Sequence, residues 1–173
     1  MTPSSHAIVE IKNQWLWSQV DVEYPTPESL KGRALYQAHT ASRQVQPFAS
    51  QPQDSAALDD IFLVDFHRLT IMFALLQAAQ METEAEQNLL VEFFTQIIFS
   101  EPCSLYVGFE NSQPVAAAIV TAHDDNVLVS DIALNANQTY ADAPQFAAAV
   151  LAKWCQAHAF DGEAFDGEAF LEV

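Results

Sequence analysis

The sequence predicts an α+β fold in which helices cover the faces of a mixed, mainly antiparallel sheet. Three observations carry this expectation. Between Ser104 and Leu134 three short runs of apolar and small residues are separated by turn-forming residues, the pattern of a strand meander. Two segments ahead of the meander and one behind it, Pro144 to about Ala159, repeat apolar residues at helical spacing. Two adjacent helices feeding an antiparallel meander build a layered architecture.

The 173 residues, 50% hydrophobic and 17% charged, suit one globular domain with a real core. No run approaches a membrane-spanning length, and MTPSSHAIVEIKNQ lacks the regions of a signal peptide, so a soluble, cytoplasmic protein is expected. Cys103 and Cys155 lack ligand spacing; two buried thiols are expected rather than a disulfide or a zinc site. Charge is more informative. The formal net charge is −17, of which residues 69–173, with Lys153 as their one basic residue, hold −14. Such a field repels nucleic acid and anionic membrane and suits a cationic substrate or a basic partner protein, with plain solubility as the competing explanation.

Taken in order, IVEIKNQWLWSQVDVEY alternates like one or two strands, with Trp15 and Trp17 on one face and directed to the core. Pro25 and Pro27 end that run, and a short helix is expected from Ser29, as cap, to Ala41. From Asp54 or Ser55 to about Gln80 runs the longest apolar segment, expected as a single, mostly buried helix. Asp65 and Arg68 fall toward its apolar face and should form a buried ion pair, or else line a pocket; His67 lies on the solvent edge. Thr83-Glu84-Ala85-Glu86 is a capping box that opens a second helix, to about Phe99.

SLYVGF (104–109) places Leu105, Val107 and Phe109 on one face, ENSQP turns the chain, VAAAIVT (115–121) returns, and VLVSDIAL (127–134) follows the HDDN turn. NANQTYADA leads into the last helix, where Phe146, Ala147, Val150, Leu151 and Trp154 form the packed side and Asp142 is placed to cap. The tandem DGEAF, 161–165 and 166–170, reads as a local duplication rather than a repeat architecture. AFLEV reads as a final strand.

From Asp54 to Val173, the order of two helices, the hairpin SLYVGFENSQPVAAAIVT, the strand NVLVSDIAL, loop, helix and the strand AFLEV resembles the GNAT superfamily of acyl-CoA N-acyltransferases. The resemblance implies a GNAT-like sheet, with acetyl-CoA as cofactor and acetyl transfer to a cationic amine. It also implies that the backbone of Ile132, Ala133 and Leu134 lines the pantetheine arm, and that Asn135, Gln138 and Thr139 lie on the pyrophosphate loop. For acid and base work the available groups are Asp131, His123 and Tyr140, with Glu110 in the hairpin turn as a further carboxylate. A metal is not implied.

The residues depart from the family at the loop. Asn135–Ala143 contains no glycine and no basic residue; Asp142 stands where an anion would bind, and Pro144 deletes an N–H donor. The family's later helix with its acidic Tyr has no counterpart, unless Tyr24 or Tyr36 approaches from the N-terminal part. Two functions are therefore expected as alternatives: an N-acyltransferase, or a non-catalytic acidic binding module on the same scaffold. Either could form a homodimer through an edge strand.

Overall fold

The computed structural model describes residues 3–49, 53, 55–98, 101–158 and 167–173. Asp54, Phe99 and most of the DGEAF duplication lie outside the described residues. The chain runs α1 (Pro3–Trp17), a 3-10 turn (Ser18–Val20), α2 (Pro27–Thr40), β1 (Val45–Pro47), α3 (Ser55–Leu58), β2 (Ile61–Leu63), α4 (His67–Ala78) and α5 (Glu84–Phe94). It continues through β3 (Cys103–Glu110), β4 (Gln113–His123), β5 (Asn126–Leu134), α6 (Ala143–Ala157) and β6 (Glu168–Glu172). The fold is α+β: one sheet in the order β1-β6-β5-β4-β3-β2, antiparallel throughout except where β5 and β6 run parallel.

The meander forms as the alternation predicts. Leu105, Val107 and Phe109 face the layer built by α1, α2, α4 and α5, together with Phe73, Phe93 and Phe94. Tyr106, Ala116, Ala118 and Val120 face α3 and α6. A Cβ on Gly108 would lie 2.8 Å from the Phe146 ring, so this position has to be bare for α6 to press onto the sheet. The β3–β4 turn places Asn111 and Ser112 at φ 52 and 64, the doubly positive geometry that matches the twist of a two-residue hairpin.

Helix α6 starts where expected. Asp142 accepts from the Gln145 amide at 2.9 Å, Pro144 occupies the first turn, and Phe146, Ala147, Val150, Leu151 and Trp154 are buried. The Thr83 cap also forms, with Thr83 Oγ1 accepting from the Glu86 amide at 3.2 Å and donating to the Glu86 carboxylate at 3.0 Å. Helix α5 nevertheless ends at Phe94, earlier than its apolar pattern suggests.

Three expectations are overturned. The N-terminal segment is helix α1, not strands: Ser5, Ile8, Lys12, Trp15 and Leu16 are buried, a 3–4 spacing that includes a lysine and so escapes an apolar-only count. Trp15 and Trp17 do pack on the core. Helix α2 begins three residues early because Thr26, not Ser29, caps it, its hydroxyl accepting from the Ser29 amide at 3.1 Å. The long apolar segment breaks into α3, β2 and α4, because Ile61–Leu63 pairs with Gly108–Tyr106 at the sheet edge and cross-strand pairing overrides helical periodicity. Asp65 and Arg68 therefore lie exposed around the β2–α4 corner with no ion pair between them among the described residues; His67 is exposed as expected. Cys103 is buried and Cys155 half-buried, both free thiols. No helix among the described residues is long and apolar enough to cross a membrane.

Candidate functional site

The site grows from a fork in the sheet. β5 and β6 pair in parallel from Asn126↔Glu168 to Val129↔Leu171. Beyond Val129 strand β5 bulges: its register with β4 jumps from Ile119↔Ser130 to Ala117↔Ala133, and Asp131 adopts φ 52. A non-glycine residue holds that conformation only where its surroundings over-determine it. Here the Asp131 carbonyl accepts from Gln77 Nε2 at 2.5 Å and its carboxylate is gripped from four sides.

Ser130 Oγ donates to Oδ2 at 2.7 Å, and Tyr36 Oη and Arg43 donate to Oδ1 at 2.5 and 2.6 Å. Lys12 Nζ lies 3.1 Å from Oδ2, donates to Glu172 Oε1 at 2.7 Å, and reaches Tyr36 Oη at 3.1 Å. Two cations thus meet two carboxylates inside the protein, with Lys12 and Asp131 at 1% and 0% exposure. Burial pushes the Asp131 carboxyl up, but Lys12, Arg43 and the two hydroxyl donors outweigh it and hold the group well below the usual carboxylate range. For Lys12 burial acts downward, and Asp131 foremost among its partners holds the ammonium above its ordinary value. Burial, then Asp131, pushes the Tyr36 phenol up. Lys12, Tyr36 and Asp131 are each held in one protonation state near neutrality, which suits structure better than proton transfer.

A cavity of about 270 Å³ opens at the mouth of the fork, lined by Arg43, His39, Gln80, Met81, Phe94 and Ile132 among others. Ile132 is the residue of the expected cofactor set that lines it. Ala133 is fully buried in the core, Leu134 half-buried, and Asn135, Gln138 and Thr139 exposed.

The loop between β5 and α6 is satisfied by its own chain. Glu110, at the end of β3, accepts from the Gln138 amide at 2.9 Å and from the Thr139 amide at 2.8 Å and hydroxyl at 2.5 Å. The Tyr140 amide donates to Asn137 Oδ1 at 2.6 Å and the Ala141 amide to Gln145 Oε1 at 2.7 Å. Four successive amides, 138 to 141, are committed to side chains of this chain. The Thr139 hydroxyl, followed by the amides, lowers the proton affinity of Glu110.

The expected acid and base groups do not converge. Asp131 lies in the fork. His123 is exposed at the β4–β5 turn, 3.4 Å from Asp124. It pairs in register with Asn126, five residues from Asp131 and so roughly 17 Å along the strand. Tyr140 is 7% exposed and packs edge-on to Phe146 at 4.8 Å; burial, then Asp60 and Glu110, pushes its phenol up. Sequence reading missed Lys12, Arg43, Gln77 and Glu172. The one available signal was Lys12 itself, a charge in the middle of a buried 3–4 stripe. Among the described residues no group of three or more His, Cys, Asp or Glu could hold a metal ion.

Neither a scan against protein-family models nor a search of curated proteins finds a match to this chain.

Proposed function

We propose that this chain is a non-catalytic binding module on a GNAT-like scaffold, with an acidic surface that takes a basic partner. The scaffold reading rests on element order and on the fork. Strand β2, helices α4 and α5, the β3–β4–β5 meander, α6 and β6 follow the family's order, and β5 parts from its parallel neighbour at a bulge, where the family admits the pantetheine arm.

The loss of catalysis rests on one observation above all. The loop amides that would receive pyrophosphate already donate to Glu110, Asn137 and Gln145. A phosphate would have to displace a carboxylate from two amides and a hydroxyl, and then face that carboxylate and Asp142 at close range. Like charges at such range oppose an incoming phosphate, less so as salt rises. Asp131 is held ionised by two cations, which makes it a weak base.

The acyltransferase alternative draws on the cavity at the fork, which has room for an acyl group and a cationic amine. Calorimetric titration separates the two. With acetyl-CoA and CoA at low and moderate salt the module gives no saturable heat; with a lysine-rich peptide it binds, and binding weakens as salt rises. Saturable acetyl-CoA binding tighter than about 100 μM, roughly 5.5 kcal/mol, overturns the non-catalytic reading in favour of acyl transfer.

A further inference from the structure

We propose that the groove beside strand β2 binds the methylated ammonium head of a lysine side chain on a basic partner segment. The groove measures about 450 Å³ and is lined by Phe62, Phe66, Leu69 and Phe109, with Asp60 and Ser112 as its polar residues. The proposal rests on the reading of this chain as an acidic module for a basic partner, and names where that partner docks.

Three phenylalanines gather here from three elements. β2 is the last strand of the sheet among the described residues, and Phe62 on it stays 46% exposed. Phe66, at the N-cap of α4, stays 56% exposed. Phe109, half-buried near the end of β3, meets Phe62 edge-on, with ring centroids 5.5 Å apart and planes at 88°. Two rings at right angles make a corner, and the buried Leu69 adds an apolar wall. An exposed apolar patch with a polar rim marks a binding surface.

The charge at the rim selects the occupant. Asp60 is exposed, and its carboxylate has no ion pair among the described residues. Its carbonyl accepts from the Phe109 amide at 2.8 Å, which fixes Asp60 beside the rings. Asp59 and Asp65 flank β2 as further exposed carboxylates; Arg68, in the first turn of α4, opposes them but does not line the groove. An anion would be repelled, and a neutral apolar body would strip water from Asp60 and give nothing in return. A primary ammonium carries three donors, which aromatic walls cannot satisfy. Methylation removes those donors and keeps the charge, and the faces of aromatic rings attract such a head.

The test is an NMR titration of the full chain with a capped lysine-rich tetrapeptide carrying one trimethyl-lysine, following the side-chain resonances of Phe62, Phe66 and Phe109. Controls replace the trimethyl-lysine with lysine or with its uncharged tert-butyl isostere. All three phenylalanines should respond saturably to the trimethyl-lysine peptide, and the isostere should bind about fivefold more weakly, with lysine also weaker. Phe66→Leu, a change at an exposed side chain, should weaken binding about fivefold. Asp60→Asn should weaken it about two- to threefold and flatten its salt dependence. Equal or tighter binding of the isostere or of the lysine peptide overturns the proposal, as does unchanged affinity in Phe66→Leu. Tetramethylammonium binding as tightly as the peptide overturns the partner segment as the source of the head. Saturable shifts elsewhere on the surface, with the three phenylalanines unmoved at about 10 mM peptide, overturn this groove and leave the basic-partner reading standing. No binding of any of the peptides at low salt overturns both.

Discussion

Two carboxylates tie distant parts of the chain together at opposite depths. Asp131 is fully buried and ties strand β5 to α1, α2 and the segment after α2; Glu110 lies at the surface and ties a hairpin to a loop 28 residues on. Asp131 has no water to fall back on, so its partners must all be present. Glu110 can exchange each loop amide for water at small cost. Depth therefore separates their roles: the inner cluster fixes the architecture, and the outer contact fixes only what the loop can bind.

The largest effect should come from breaking the inner cluster. Lys12→Met leaves Asp131 and Glu172 short of a cation and should cost about 3–5 kcal/mol in chemical denaturation. A loss under 1 kcal/mol would mean that the cluster is not the organising contact. Next in size is Gly32→Ala, whose Cβ would fall 2.1 Å from the Leu89 carbonyl oxygen and force α2 away from α5. Overpacking of this kind costs roughly 1–3 kcal/mol, and it would loosen Tyr36, on the same helix, from Asp131.

The pH profile sharpens the comparison. Asp131 is held below its ordinary value, so its stabilisation is complete above the unfolded value of about 3.9 and fades as pH falls through the folded one. Lys12 is held above its ordinary value, so its share is complete below about 10.4 and fades as pH rises through the folded one. Stability should show a plateau with two shoulders, both flattened in a Lys12→Met, Asp131→Asn double variant. Retention of either shoulder in the double variant would assign it to other groups.

The smallest effect belongs to Glu110→Gln. The unfolding midpoint should move by no more than about 2 °C, while amide exchange at Gln138 and Thr139 quickens. A large drop in midpoint would give the outer carboxylate a share in the architecture that its depth does not suggest.

The same contrast governs what could be read from sequence. The meander, the Asp142 cap and the Thr83 cap are local, each encoded within a few residues, and all three were legible. The inner cluster joins residue 12 to residues 36, 43, 131 and 172, and no local pattern carries such a link. Strand β2 was lost for the same reason: its three residues read as helix until β3 pairs with them. At the loop, the missing glycines and the Asp142 cap pointed to a weakened phosphate site. That Glu110 would fill it lay beyond the sequence, because the hairpin twist brings the two together.

The most direct measurement is an amide spectrum of Gln138 and Thr139 with and without acetyl-CoA, at concentrations up to a few millimolar, well above a 100 μM dissociation constant. With Glu110 on these amides, both resonances should stay in place when acetyl-CoA is added and move when acid protonates the carboxylate, below the usual Glu range. Saturable movement of both amides with acetyl-CoA at neutral pH would show that phosphate displaces Glu110, and would contradict the account.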